Sequence, residues 1–258
     1  MKPAEYRRMF EAEQRQWWYA GQRAVALALF EPWAGARKLR LLDAGCGTGY
    51  NLLAFAGFGS TLGIDLSPDA IRLCRERGVR AVRGSVLRLP FADAAFDAAT
   101  SFDVIYHDWV SDERAAVAEM ARVLKPGGAL LVRVPALELL RGAHDAEVLT
   151  RRRYTLGELR ALVEGCGLSV LRSTYANSLL FPVLFARRTL DRLLSRHGSD
   201  VGFLPPVLES LFRWLMGLEA FCVRHGLRFP IGASAVVLAI KAGGAAPHPP
   251  HPPLAPPE

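Results

Sequence analysis

Residues 38–49 read Lys-Leu-Arg-Leu-Leu-Asp-Ala-Gly-Cys-Gly-Thr-Gly. An apolar run ending at Ala44 carries an acid, Asp43, and opens into Gly45, Gly47 and Gly49 at alternate positions. So short an apolar run before a glycine loop reads as a buried strand of a parallel sheet. A helix is expected next, from about Tyr50 to Gly57. Glycines at a strand-to-helix junction let the backbone approach a ligand and leave the first helical amides open to it. The spacing is GxGxG, with an acid two residues before the first glycine. The dinucleotide pattern GxGxxG requires glycine at position 50, where the chain has Tyr50, and no Gly-Lys-Ser/Thr follows for a phosphate-binding loop of the Walker kind.

Outward from this stretch, strand and helix signals alternate. Thr61 to Asp65 reads as a second strand, and Ser67-Pro68-Asp69 starts a helix that ends near Gly78, with Ser67 as cap and Pro68 at its first position. Val79 to Val82 and Phe96 to Phe102 read as strands three and four. Ser111 to Leu124 is a helix stopped by Lys125-Pro126-Gly127-Gly128, and Ala129 to Val134 is strand five. Thr155 to Cys166 is a helix with a capping box, Thr155 and Glu158. Leu168 to Ser173 and Ala233 to Ala239 supply the last two strands. Residues 5–30 read as one helix with Trp17, Trp18, Val25, Ala26, Leu27 and Leu29 on its apolar face. Such alternation implies an α/β fold whose sheet is covered on both faces, with ligands at the carboxyl ends of the strands where their order reverses.

The 258 residues are 51% hydrophobic, enough for a core without disulfide or metal staples. Cys46, Cys74, Cys166 and Cys222 form no CxxC pair, so no zinc or disulfide framework is expected, and unpaired thiols favour a reducing compartment. The first residues lack an apolar leader segment, which points to a cytoplasmic protein. No run approaches the roughly 18 apolar residues of a membrane span. The net charge of +7 admits nucleic acid, anionic lipid or acidic metabolites as partners, or scattered surface arginine. One domain is expected over residues 1–241, followed by a disordered Pro-rich tail, residues 242–258, with His248 and His251 in it.

The stretch Leu41-Leu-Asp-Ala-Gly-Cys-Gly-Thr-Gly49 resembles the first motif of the class I S-adenosylmethionine-dependent methyltransferases, and the likeness runs from about Trp17 to Lys241. It implies a Rossmann-like, seven-stranded, mostly parallel sheet with helices on both faces. It also implies S-adenosyl-L-methionine as cofactor, held by Asp43, Gly45, Cys46, Gly47 and Gly49. Asp65, with Leu66 after it, matches the acid that takes the ribose hydroxyls; a carboxylate accepts both protons. Gly84-Ser85-Val86 resembles the third motif. Many relatives place an acid where this chain has Ser85, which weakens that contact to the adenine amino group, while Val86 packs on the ring. Ser101 and Phe102 end strand four beside the methionine part. The Trp17-Trp18-Tyr19 segment, through Arg23, resembles an N-terminal motif of a bacterial subgroup, with Tyr19 and Arg23 closing over the cofactor carboxylate. The subgroup likeness also covers residues 143–168 and 174–182, including His144, Asp145, Arg153 and Tyr154; relatives usually have a histidine at the place of Thr150. His107 and His144 are the candidate general bases, the rival for His107 being a structural histidine bonded to a backbone carbonyl. No metal is expected.

Residues 176–232 separate two strands that this fold normally joins as a hairpin. Two apolar helical patterns lie near 177–196 and 206–225, the second striped by Phe203, Leu204, Leu208, Leu211, Trp214, Leu215 and Leu218. This helical insertion is open to four readings: an add-on over the sheet, a lid with Phe181 and Trp214 lining an apolar acceptor pocket, a dimer surface, or a pair of helices on a membrane surface. The expected acceptor is a small molecule methylated on oxygen, nitrogen or carbon, the alternative being a lipid-like or quinone substrate at the membrane surface. Nucleic acid is not expected, because the Asn/Asp-Pro-Pro-aromatic motif for exocyclic base amines and a Pro-Cys nucleophile are both missing. A cofactor-binding protein without catalysis is the remaining alternative. Oligomeric state is not legible.

Overall fold

The computed structural model describes residues 3–142, 145, 148–193 and 204–243. The sheet is built from β1 (Leu39–Ala44), β2 (Gly59–Asp65), β3 (Ala81–Arg83), β4 (Phe96–Phe102), β5 (Leu124–Pro135), β6 (Leu168–Ala176) and β7 (Ser234–Lys241). Their spatial order is β3-β2-β1-β4-β5-β7-β6. All neighbours pair in parallel except β7, which runs antiparallel to both β5 and β6. From β1 the chain first winds outward through β2 and β3, then returns to place β4 on the other side of β1. The glycine loop after β1 therefore sits at the reversal of strand order, where the carboxyl ends of β1 and β4 diverge and leave a crevice.

The helices α1 (Pro3–Ala12), α2 (Trp17–Ala34), α3 (Tyr50–Phe55), α4 (Pro68–Glu76), α5 (Glu113–Val123), α6 (Leu156–Glu164), α7 (Phe181–Leu193) and α8 (Pro206–Arg224) complete the described elements of more than one turn. Alternate residues of each strand feed two cores. Leu42, Ile64, Ala99 and Leu130 face α5 and α6 with Met120 and Leu159. Leu41, Ala98, Leu131 and Val236 face α2 with Phe30 and Trp33. The local signals for α4 and α6 hold: Ser67 caps α4, and Thr155 and Glu158 form a reciprocal box on α6.

Three expectations are corrected. Residues 5–30 are two helices, because Glu13 turns inward to accept from the Thr48 hydroxyl and from Arg77 (2.9 Å) while Gln16 takes extended backbone to start α2. β5 begins at Leu124 rather than Ala129; the Lys125–Gly128 stretch is carried as an irregularity, the register jumping from Phe96–Leu124 to Ala98–Ala129. On α8 the buried residues are Met216, Glu219, Ala220 and Val223, whereas Leu208, Leu211, Trp214 and Leu218 of the expected stripe face outward. Phe203 and residues 244–258 lie outside the described residues.

Candidate active site

The glycine loop needs its glycines for two separate reasons. Gly45 has φ +84° and a Cβ there would fall inside the Val104 side chain; Gly49 has φ +82° and its Cβ would lie 2.6 Å from Val79 Cγ2. The loop thus packs against its neighbours through bare backbone. Opposite it, at the end of β2, Asp65 accepts from the Gly47 amide through Oδ2 and from the Ser67 amide through Oδ1, both at 2.9 Å. Burial pushes its pKa up, and these backbone donors pull it back down.

Above them opens a cavity of about 540 Å³ that runs through the crevice. At one end its wall includes Gly45, Cys46, Gly47, Asp65, Leu66, Ser85 and Val86. Leu66 is half exposed into this space, and the Ser85 hydroxyl accepts from the Leu87 amide at 3.2 Å. Cys46 Sγ lies 3.9 Å from the buried Cys74 Sγ. Asp43, Gly49 and Ser101 do not reach the cavity wall. Asp43 is buried beneath it, with Oδ1 accepting from Thr100 Oγ1 at 2.7 Å and Oδ2 unpartnered, and burial raises its pKa to about 7. Ser101 is equally buried and its Oγ has no partner. Asp43 and Ser101 lie behind the wall because they are on the strands, one layer below the loops, whereas Gly49 caps α3 and packs against Val79 and Cys74.

Tyr19, Arg23, Phe102, Asp103 and Arg133 line the middle. Arg23 donates to the Glu13 carbonyl at 2.7 Å and lies over the Tyr50 ring at 4.2 Å; desolvation lowers its pKa. Arg133 pairs with Asp103, Nε to Oδ2 at 3.2 Å, and covers the Phe102 ring. α1 forms a roof: Tyr6 and Met9 line the cavity, and burial together with the Asp65 charge drives the Tyr6 pKa up to about 12. Glu13 and Arg77, both buried, tie this roof to α4 and to Thr48 of the glycine loop.

At the far end His107 lines the cavity, buried between the rings of Tyr106 at 4.1 Å and Trp109 at 4.0 Å. Its Nδ1 has no partner, and desolvation lowers its pKa to about 4. Thr150 bridges to the His107 backbone and shares this wall with Val110, Val148, Val183, Leu184 and Phe212. The insertion therefore reaches the cavity through Val183, Leu184, Arg187 and Arg188 of α7, through Leu204, and through Phe212 of α8, and not through Phe181 or the outward-facing Trp214. His144 lies outside the described residues. The arginine run is internally paired: Arg151 and Arg152 with Glu113, Arg152 also with Glu158, and Arg153 with the buried Asp145 at 2.9 Å.

Sequence reasoning missed Tyr6, Met9, Glu13, Asp103 and Arg133 as wall or roof residues. Asp103 belongs to the Ser101-Phe102-Asp103 stretch that matches the end of strand four, but the stretch gives it no role of its own, and Arg133 sits mid-strand with no local signal. No group of three or more His, Cys, Asp or Glu suited to a metal occurs among the described residues, and no described helix is long and apolar enough to cross a membrane.

A doubly wound sheet with an acid and a glycine loop on one crevice defines a nucleoside-cofactor site. A family model described as "Methyltransferase domain" matches residues 42–132. A Mycolicibacterium smegmatis protein named "Probable S-adenosylmethionine-dependent methyltransferase" is 31% identical over 193 residues, 73% of this chain and 70% of its own. The Mus musculus protein named "Probable tRNA methyltransferase 9B" is 42% identical over 97 residues, 37% of this chain but only 22% of that protein's length. Among solved structures, a chain from the complex between the Haloferax volcanii Trm112 methyltransferase activator and a methyltransferase has a TM-score of 0.62 at 21% identity, covering 93% of this chain and 96% of its own, a likeness of fold. This chain belongs to the S-adenosylmethionine-dependent methyltransferase family.

Proposed function

We propose that the protein transfers a methyl group from S-adenosylmethionine to a small, largely apolar acceptor. One observation carries this: a single cavity of about 540 Å³ joins the Asp65 and Val86 end to the His107 and Leu184 end, a size ordinary for small-molecule sites. The residues fit the cofactor. The Asp65 carboxylate, already oriented by two amides, has further lone pairs for ribose hydroxyls. Leu66 and Val86 offer apolar contact for a flat base. Arg23 and Tyr19, on the same cavity wall, would hold the cofactor's carboxylate. Asp43, Gly49 and Ser101 hold the loop and strand end in place from beneath.

S-adenosylmethionine, when bound, supplies a methyl carbon made electrophilic by its sulfonium. The chain's own task is then to hold the acceptor in line with that carbon and to exclude water, and positioning is worth about 7–11 kcal/mol in favourable cases. The α1 roof and the wall from α7 and α8, apolar at Val183, Leu184 and Phe212 and basic at Arg187 and Arg188, would do the excluding. His107 is neutral near pH 7 because burial lowers its pKa to about 4; its Nδ1 is sealed in without a partner, and the ring's backbone bonds at Val148 and Leu149 favour a structural role over that of a general base.

A second reading, methylation of RNA, has support in the name of the mouse relative and in the net charge of +7. The pairing of Arg151, Arg152 and Arg153 with carboxylates weighs against it, since the longest basic run is spent internally. Incubating the protein and labelled cofactor with fractionated cell extract separates the two. Label in the small-molecule or lipid fraction supports the proposal; label confined to RNA and dependent on Asp65 contradicts it.

A further inference from the structure

We propose that the outer face of α7 and α8 docks on an anionic lipid surface. Val207, Leu211, Trp214, Leu218 and Phe221 follow one another at spacings of four and three along α8, which places them on one stripe. That stripe is bare: Val207 is 78% exposed, Trp214 63% and Phe221 59%. Phe185 and Leu190 of α7 are exposed as well. A contiguous apolar area of this kind on a soluble chain marks an interaction surface.

Charge decides the occupant. Arg213 and Arg224 lie on one flank of the stripe and Arg228 follows the helix. The α8 carboxylates turn inward: Glu209 accepts from the Trp17 amide, and the buried Glu219 accepts from the Ser178 and Leu179 amides. Arg213 reaches back to Glu209 at 3.5 Å and Arg224 pairs with Glu31 of α2, but both side chains are about half exposed, unlike Arg153, so these pairs are weak and solvent-screened and leave the guanidinium groups open to headgroups. No acid of α8 is left on the outward stripe to meet a basic partner. An antiparallel second copy would set the arginine flank against itself, whereas anionic headgroups complement it and the interface accepts Trp214 and Phe221. The same helices turn Val183, Leu184 and Phe212 into the cavity, so docking would bring its acceptor end toward the bilayer. The proposal stands whether or not the acceptor is itself apolar.

The test is sedimentation of the full chain with phosphatidylcholine vesicles, with and without phosphatidylglycerol, at low and raised salt. Trp214→Glu/Phe221→Glu is compared with wild type and with Leu171→Glu, an exposed apolar position away from these helices. The expected result is binding that needs phosphatidylglycerol, weakens with salt, falls roughly tenfold or more in the double variant and is unchanged in the control. Should the double variant melt early, Trp214→Phe on vesicles of brominated phosphatidylglycerol decides: the wild type must show quenched tryptophan emission that this variant largely loses. Absence of binding to phosphatidylglycerol vesicles overturns the proposal. So does equal binding by the double variant and the control, or a vesicle-independent dimer that the double variant abolishes.

Discussion

At His107, burial outweighs the nearby Asp103 charge, and the imidazole is held neutral down to about pH 4. Between about pH 4 and the unfolded value near 6.5, folded His107 binds fewer protons than unfolded His107, so its own contribution to stability falls as pH drops through that window, opposite in sign to that of Asp43, whose raised pKa favours the folded state at lower pH. His107→Gln should flatten this fall, measured by denaturant unfolding at several pH values, while wild type and variant should run parallel above pH 7. An unchanged slope would mean that another group governs the window. If His107 also takes a proton from the acceptor, the same variant lowers kcat with little change in cofactor affinity, by roughly 10²- to 10⁴-fold. Asp65 and the glycines were legible in the sequence because their chemistry is local: an acid at a strand end, and spacing that only bare backbone satisfies. Arg133, Tyr6 and Asp103 were not, because they reach the cavity from a mid-strand position, from α1 and from a left-handed residue at φ +58°.

Packing between elements turns on small residues and inward acids. Gly21 of α2 lies under α8, where an added Cβ would sit 2.6 Å from Met216 Cβ. Gly→Ala in a helix normally gains up to about 1 kcal/mol. Here the clash is with an atom next to backbone, so overpacking should win and Gly21→Ala should destabilise by about 1–3 kcal/mol, read from the unfolding midpoint. A more stable variant would show that α8 rides loosely on α2. Glu219 ties α8 to the start of α7 by accepting from Ser178 and Leu179 at 2.7 and 3.0 Å. Glu219→Ala should cost about 1–3 kcal/mol and open the segment after Asn177 to limited proteolysis; unchanged cleavage would show that the tie is dispensable. The sequence located both helices but not their orientation. Periodicity reveals that a helix has an apolar side, whereas what covers that side depends on tertiary neighbours. Hence Met216, Ala220 and Val223 went inward while Trp214 stayed out. The break at Glu13 was hidden for a similar reason: its cause is Arg77 and Thr48, far along the chain.

Across the whole molecule, strand order places the glycine loop at the sheet's reversal, and three separate segments then enclose one cavity: α1 above, the residues after β4 at the far end, and the α7–α8 insertion at the side. The alternating strands and helices made this layout readable, and the crevice with it. The roof and the α7–α8 wall were not readable, since they arise from non-local packing. The proposed cofactor site is the Asp65 end of this cavity. Isothermal titration calorimetry of wild type and Asp65→Ala with S-adenosylmethionine, or with its demethylated product, tests it most directly. The wild type should bind and the variant should bind about tenfold or more weakly, from the loss of one charge-assisted hydrogen-bond acceptor. Equal affinity in the two proteins, or binding of NADH in place of S-adenosylmethionine, would contradict it.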